Sequence, residues 1–123
     1  MQRYGIIEKE KAEMISRLKV KAVHFAWDRY EDRDTILPKF QMFKDITKWG
    51  YRKLSVYVLT NFNTTFEQDL ERVYTLRDMG YNPYIMVYDK AHTTGRDHVR
   101  RLQRWVNNRI IFRTVDTFEK YIG

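Results

Sequence analysis

Cysteine is absent from this chain of 123 residues. That excludes disulfides, and it excludes zinc or iron–sulfur sites whose thiolate ligands come from this chain alone. With 5 glycines and 2 prolines, no linker or low-complexity tract divides the chain, so residues 1–123 read as a single domain. No apolar run reaches the roughly 18 residues of a membrane span, and no apolar secretory segment opens the sequence. The expectation is a cytoplasmic protein without a membrane partner. G-x-S-x-G, P-loop and H-E-x-x-H motifs are all missing, so no motif assigns a catalytic residue. His92 and His98 stand six apart across a loop-to-helix junction, which is not zinc-ligand spacing, and no metal ligand is assigned.

What the chain does contain is order. Hydrophobic residues make up 43 % of it, the composition of a packed α/β domain. Lysine and arginine outnumber aspartate and glutamate 23 to 16, for a net charge of +7. The acidic residues are interspersed among the basic ones, so the imbalance describes a basic surface open to anionic partners rather than a polybasic tail.

The stretch from Lys53 to Lys90 forms one complete strand–helix–strand unit. Lys53 to Asn61 (KLSVYVLTN) is β-branched and aromatic, as buried strands are. Thr64 and Glu67 make a Thr-x-x-Glu capping box for a helix reaching about Met79. On it Phe66, Leu70, Val73, Tyr74 and Leu76 form the apolar arc, while Gln68, Glu71, Arg72, Thr75 and Asp78 face water. Gly80 ends it, and Tyr84 to Asp89 (YIMVYD) is the next strand. Two such strands joined by a helix run parallel.

Around this unit, Ile6 to Leu18 predicts a helix and Lys21 to Asp28 a first strand, with Val23, Phe25 and Trp27 on one face. Thr35 is placed to cap a second helix with Pro38 in its first turn, closed by Trp49 and Gly50. Lys90 to Gly95 is a polar, lid-like loop. Asp97 to Asn108 predicts an amphipathic helix, Ile110 to Thr114 a fourth strand and Thr117 to Ile122 a last helical turn. The fold class is therefore α/β, a parallel four-stranded sheet from successive βα units. His24 and Asp28, then Ser55, Tyr57 and Asn61, then Tyr84, Met86 and Tyr88 share one strand parity. A sheet covered by helices on both faces is dry at both parities, so this polar face favours a partial, half-barrel curve over a doubly wound sheet.

In parallel sheets ligands gather where strands end. That rule selects Asp28 and Arg29 after the first strand, Asn61 and Asn63 after the second, Asp89 and His92 after the third, and Arg113 in the fourth as candidate ligand-binding residues. Each also has a plain local role, as a surface pair, an Asx turn or a loop cap.

The runs KAVHFAWDRYEDRDTILPKF, KLSVYVLTNFNTTFEQDLERVYTLRDMGYNPYIMVYDK and RRLQRWVNNR resemble, over about Val20 to Phe112, the carboxyl-terminal half of the barrel in bacterial and phage-associated radical S-adenosylmethionine proteins. The resemblance implies a partial (β/α) barrel with ligand at the strand ends, and S-adenosylmethionine as the cofactor of that superfamily, bound beside a four-iron cluster held by a CxxxCxxC loop. This chain has no cysteine and cannot hold the cluster alone. The superfamily's GxIxGxxE motif would align with Thr60 to Glu67, where only Glu67 matches and threonines stand at both glycine positions.

Three function classes follow. One is a half-barrel module that forms a homo-oligomer or completes itself with an amino-terminal half-barrel partner, because sheet edges and a bare face demand cover. Another is an S-adenosylmethionine- or substrate-binding component of a radical enzyme. The third is a nucleic-acid binder using Arg96, Arg100, Arg101 and Arg104 as phosphate contacts.

Overall fold

A computed structural model describes residues 8–88 and 97–122. Helix α1 (Lys9–Ser16) precedes strand β1 (Val23–Trp27), a 3-10 turn at Tyr30–Asp32 and helix α2 (Arg33–Thr47). Strand β2 (Leu54–Thr60), helix α3 (Phe66–Asp78) and strand β3 (Asn82–Val87) follow, then helices α4 (Asp97–Asn107) and α5 (Arg109–Thr114) and a 3-10 turn at Phe118–Lys120. The three strands form one parallel sheet in the order β1-β2-β3.

The sheet is one-sided. Phe25, Trp27, Leu54, Val56, Val58 and Ile85 enter a single core with Phe40 and Phe43 of α2, Val73 and Leu76 of α3, Trp105 and Val106 of α4 and Phe112 of α5. Of the other parity, His24, Tyr84, Met86 and Tyr88 stay exposed, while Ala26, Ser55 and Asn82 are buried. Parallel sheets ordinarily bury both faces because crossover helices cover them. Here the helices converge on one.

Several local expectations need correction. The segment from Ile110 to Thr114 is not a strand but part of α5: the Asn108 side chain accepts from the Ile111 amide at 3.1 Å, and Phe112 packs its edge on Trp105 with centroids 4.8 Å apart. A helix cap and an aromatic anchor override the β-preference of two isoleucines. The place of a fourth strand beside β3 is also occupied. Asn107 on α4 accepts from the Ile85 amide at 2.7 Å and donates to the Ile85 carbonyl at 3.1 Å, mimicking a neighbouring strand. Pro83 shares the outward parity of Ile85, so its missing amide costs the ladder nothing. The edge of β3 is thus capped, whereas no described strand pairs with the outer edge of β1.

The capping box of α3 lies one residue beyond Thr64 and Glu67. Thr65 accepts from the Gln68 amide and Gln68 from the Thr65 amide, which frees Thr64 to donate to Asp69 at 2.7 Å. Helix α2 starts before Thr35, which leaves Pro38 inside it; the carbonyl that Pro38 deprives is that of Asp34 in the first turn. Lys48, left-handed at φ 58°, ends that helix ahead of Trp49 and Gly50. Gly80 terminates α3 as expected, at φ 85°, where a Cβ would press into the Lys44 side chain.

Arg72 departs furthest from its expected place on the wet side of α3. Its side chain has no exposed surface. Nη1 donates to the Trp27 carbonyl at 2.8 Å, and Nη2 to the Leu59 carbonyl at 2.7 Å and to Asp69 Oδ1 at 2.6 Å. One guanidinium therefore joins the ends of β1 and β2 to the helix between β2 and β3. Removing one partner of a buried pair leaves the other charge uncompensated. Arg72→Met is predicted to lower unfolding stability by about 3–5 kcal/mol in urea titration. Adding Asp69→Leu should return part of that loss, so that the two single effects exceed the double.

Candidate functional site

At the strand-end rim the described candidates make local contacts. Arg29 donates through Nε to Glu31 at 3.1 Å, both largely exposed, and its carbonyl accepts from the Trp27 indole at 2.7 Å. Asp28 is engaged in interactions of its own. Asn61 takes a left-handed conformation at φ 61° and donates to the Tyr88 carbonyl at 3.2 Å. Asn63 is exposed beside it. Asp89 and His92, with the loop Lys90 to Gly95, lie outside the described residues, as does Arg96. Arg29 thus pairs with Glu31 rather than with Asp28, and Asn61 ties the end of β2 to the residue after β3.

The arginines of α4 also separate. Arg101 donates through Nη2 to the Tyr121 carbonyl and lies over the Phe118 ring at 4.8 Å, which pins the carboxyl-terminal segment to the helix. Arg100 and Arg104 are exposed. They are already engaged in interactions.

The bare sheet face is the concave, chemically varied surface. Parallel register sets His24, Ser55 and Asn82 in one row and Ala26, Tyr57 and Tyr84 in the next, with Leu59 and Met86 beyond. His24 stacks on Tyr57 with centroids 5.4 Å apart and planes at 19°, and Tyr57 meets Tyr84 edge-on at 5.8 Å. These residues, with Met86 and Arg109, line a concavity of about 500 Å³. Asn82 is nearly buried there, and its Oδ1 has no hydrogen-bond partner. The concavity sits toward the starts of the strands, opposite to the rim that the positional rule selected. Among the described residues no group of histidine and carboxylate side chains could hold a metal ion. The face offers stacking, van der Waals contact and a few hydrogen bonds, which is the chemistry of binding.

Beyond Arg109 the surface turns basic. Tyr51, Arg52, Arg109, Ile110, Arg113 and Thr114 line a second groove of about 440 Å³. Arg113, expected in a strand, is on α5 and lies over the Tyr51 ring at 3.6 Å from its centroid. Burial lowers the pKa of its guanidinium, and the charges of Arg77 and Arg109 push the same way against the favourable pull of Tyr51. A hydrogen bond from Arg52, helped by the charges of Arg52, Arg113 and Arg109, holds the Tyr51 phenol below the ordinary tyrosine value. Sequence reasoning singled out Arg113 alone of this cluster, since the others come from the turn before β2 and from a segment that reads as a strand.

Comparison with family models, with curated proteins and with solved structures finds no match for this chain.

Tyr51 provides a direct test of the basic groove. Its phenol is predicted to titrate below the ordinary value of about 10, and Arg52→Gln should move it upward in a 13C NMR titration. With the folded pKa depressed, the contribution to stability grows as pH rises through that lowered value and is complete above the unfolded one. Arg52→Gln should reduce the gain, leaving the part due to the charges of Arg113 and Arg109.

Proposed function

We propose that this chain is an interaction module, a partial (β/α) barrel whose bare sheet face and open β1 edge are covered by a second set of strands, supplied most simply by another copy. The observation that carries the reading is the asymmetry of the sheet: α4 caps the edge of β3 through Asn107, while no described strand pairs with β1 on its outer side. Such a sheet ends at β3 and grows only from β1. Unpaired strand edges recruit further strands, and a half-bare parallel sheet leaves apolar area in water.

The composition of the face supports a protein partner. Met86 and Tyr88 are each 48 % exposed and Tyr84 43 %, and the residues between Ser55 and Leu59 or Asn82 and Met86 that share their parity carry no charge. On a chain of net charge +7, a neutral aromatic face lets two copies approach without opposing their like charges. A strand of nucleic acid lying over it would meet Arg109 only at one end, which makes the face itself a poor phosphate track.

Light scattering at micromolar concentration is predicted to give a mass above that of the monomer. Backbone parity supplies a selective variant. Val23 donates to the Lys53 carbonyl on the β2 side, so the amides of His24 and Ala26 point to the open edge. His24→Pro should remove an outward donor while leaving the β1–β2 ladder bonded. Together with Met86→Lys it is expected to give a folded monomer by circular dichroism and light scattering. A wild-type chain that remains monomeric up to about 100 μM, where even weak association of about 5–6 kcal/mol would register, overturns the reading.

A further inference from the structure

The groove at the start of β2 gathers three guanidinium groups without a carboxylate. None of its six lining residues, Tyr51, Arg52, Arg109, Ile110, Arg113 and Thr114, is acidic. Two buried or half-buried arginines elsewhere are paired with carboxylates, Arg33 with Glu71 at 2.8 Å and Arg72 with Asp69 at 2.6 Å. Arg113 instead donates through Nη2 to the Tyr81 carbonyl at 3.1 Å, rests on the Tyr51 ring, and keeps its Nε buried with no acceptor. The Arg52 guanidinium carbon lies 6.0 Å from the centroid of the same ring. The groove continues past Arg109 and Ile110 into a wider one, of about 650 Å³, lined also by Arg104, Asn107, Asn108, Ile111 and Tyr121.

Gathering like charges on a partly dry aromatic floor is unfavourable until an anion joins them. Guanidinium forks match the oxygens of phosphate in pairs, and Tyr51 holds the Arg113 fork in place by stacking. We propose that this groove binds a phosphate group, with Arg109 and Arg52 as the accessible forks and Arg113 as the fixed one. The groove meets the bare sheet face at Arg109, which lines both, whereas Tyr51, Arg52 and Arg113 line the groove alone; a loss of anion binding in Arg52→Gln with the association state unchanged therefore reports the groove and not the face.

The test titrates the full chain with inorganic pyrophosphate, read by calorimetry and by NMR of the Arg113 Nε–H and the Tyr51 ring. Saturable shifts at both residues are expected. Arg109→Gln and Arg52→Gln should each weaken binding by about tenfold or more, the loss that goes with one charge-assisted hydrogen-bond pair. Lys11→Gln and Arg17→Gln on α1 remove the same charge elsewhere and should leave affinity unchanged. A second arm uses a thymidine dodecamer. If the natural phosphate belongs to a nucleic-acid backbone, the dodecamer binds more tightly than pyrophosphate and its affinity falls steeply with salt; if it belongs to a small molecule, pyrophosphate is the better ligand and the dodecamer gains nothing. Absence of saturable shifts up to about 5 mM pyrophosphate, well beyond the millimolar range of weak specific binding, overturns the proposal. So does an equal loss in the α1 variants, which would reduce the effect to overall charge.

Discussion

The buried guanidinium of Arg72 is the contact on which the rest of the architecture leans. Two strand-end carbonyls, Trp27 and Leu59, need donors where β1 and β2 stop, and one side chain from α3 supplies both. Asp69 neutralises it and Thr64 holds Asp69, so the loop entering α3 is tied to the same point. The Trp27 ring also lies 5.5 Å from the guanidinium carbon. A cation without any exposed surface survives only with this degree of pairing. By fixing α3 against the ends of two strands, the clamp commits the helical layer to one side of the sheet and leaves the other side bare.

That commitment accounts for the polar groups in the described part of the strand-end rim. Its carbonyls, together with the amide of Asn61, are spent on the clamp and on loop closure. Unused capacity is found at the opposite end and across the bare face: an unpartnered Asn82 oxygen, an aromatic row from His24 to Tyr84, and an arginine cluster lacking any acidic neighbour in its groove. Polar groups without partners mark where a molecule is incomplete. Among the described residues two of the three such buried atoms, Asn82 Oδ1 and Arg113 Nε, lie at the face and the foot of the sheet, and the third is Nε of Arg72 in the clamp itself.

The strands were legible because their signal is local. Alternation along Lys21 to Asp28 and the β-branched run from Leu54 give β1 and β2 directly, and the shared parity of His24, Tyr57 and Tyr84 correctly separates the two faces. Arg72 was illegible for a complementary reason. An amphipathic arc assigns arginine to water, and only the meeting of two strand ends, 45 and 13 residues away, makes its burial favourable. The run from Ile110 likewise reads as strand until Asn108 caps it and Trp105 receives Phe112. The basic groove escapes any linear reading because Arg52 and Arg109 stand far apart in the chain. No feature within either segment announces the other.

Amide hydrogen exchange of the chain at two concentrations tests the central claim, that the one-sided sheet is incomplete by itself and is covered in solution. If the outward amides of His24 and Ala26 gain protection as concentration rises from about 1 to 100 μM, the span over which modest self-association develops, while the already bonded Tyr84 and Met86 amides stay protected throughout, the account holds. If His24 and Ala26 exchange at the unprotected rate at both concentrations, the bare face and the open edge are ordinary surface and the account is contradicted.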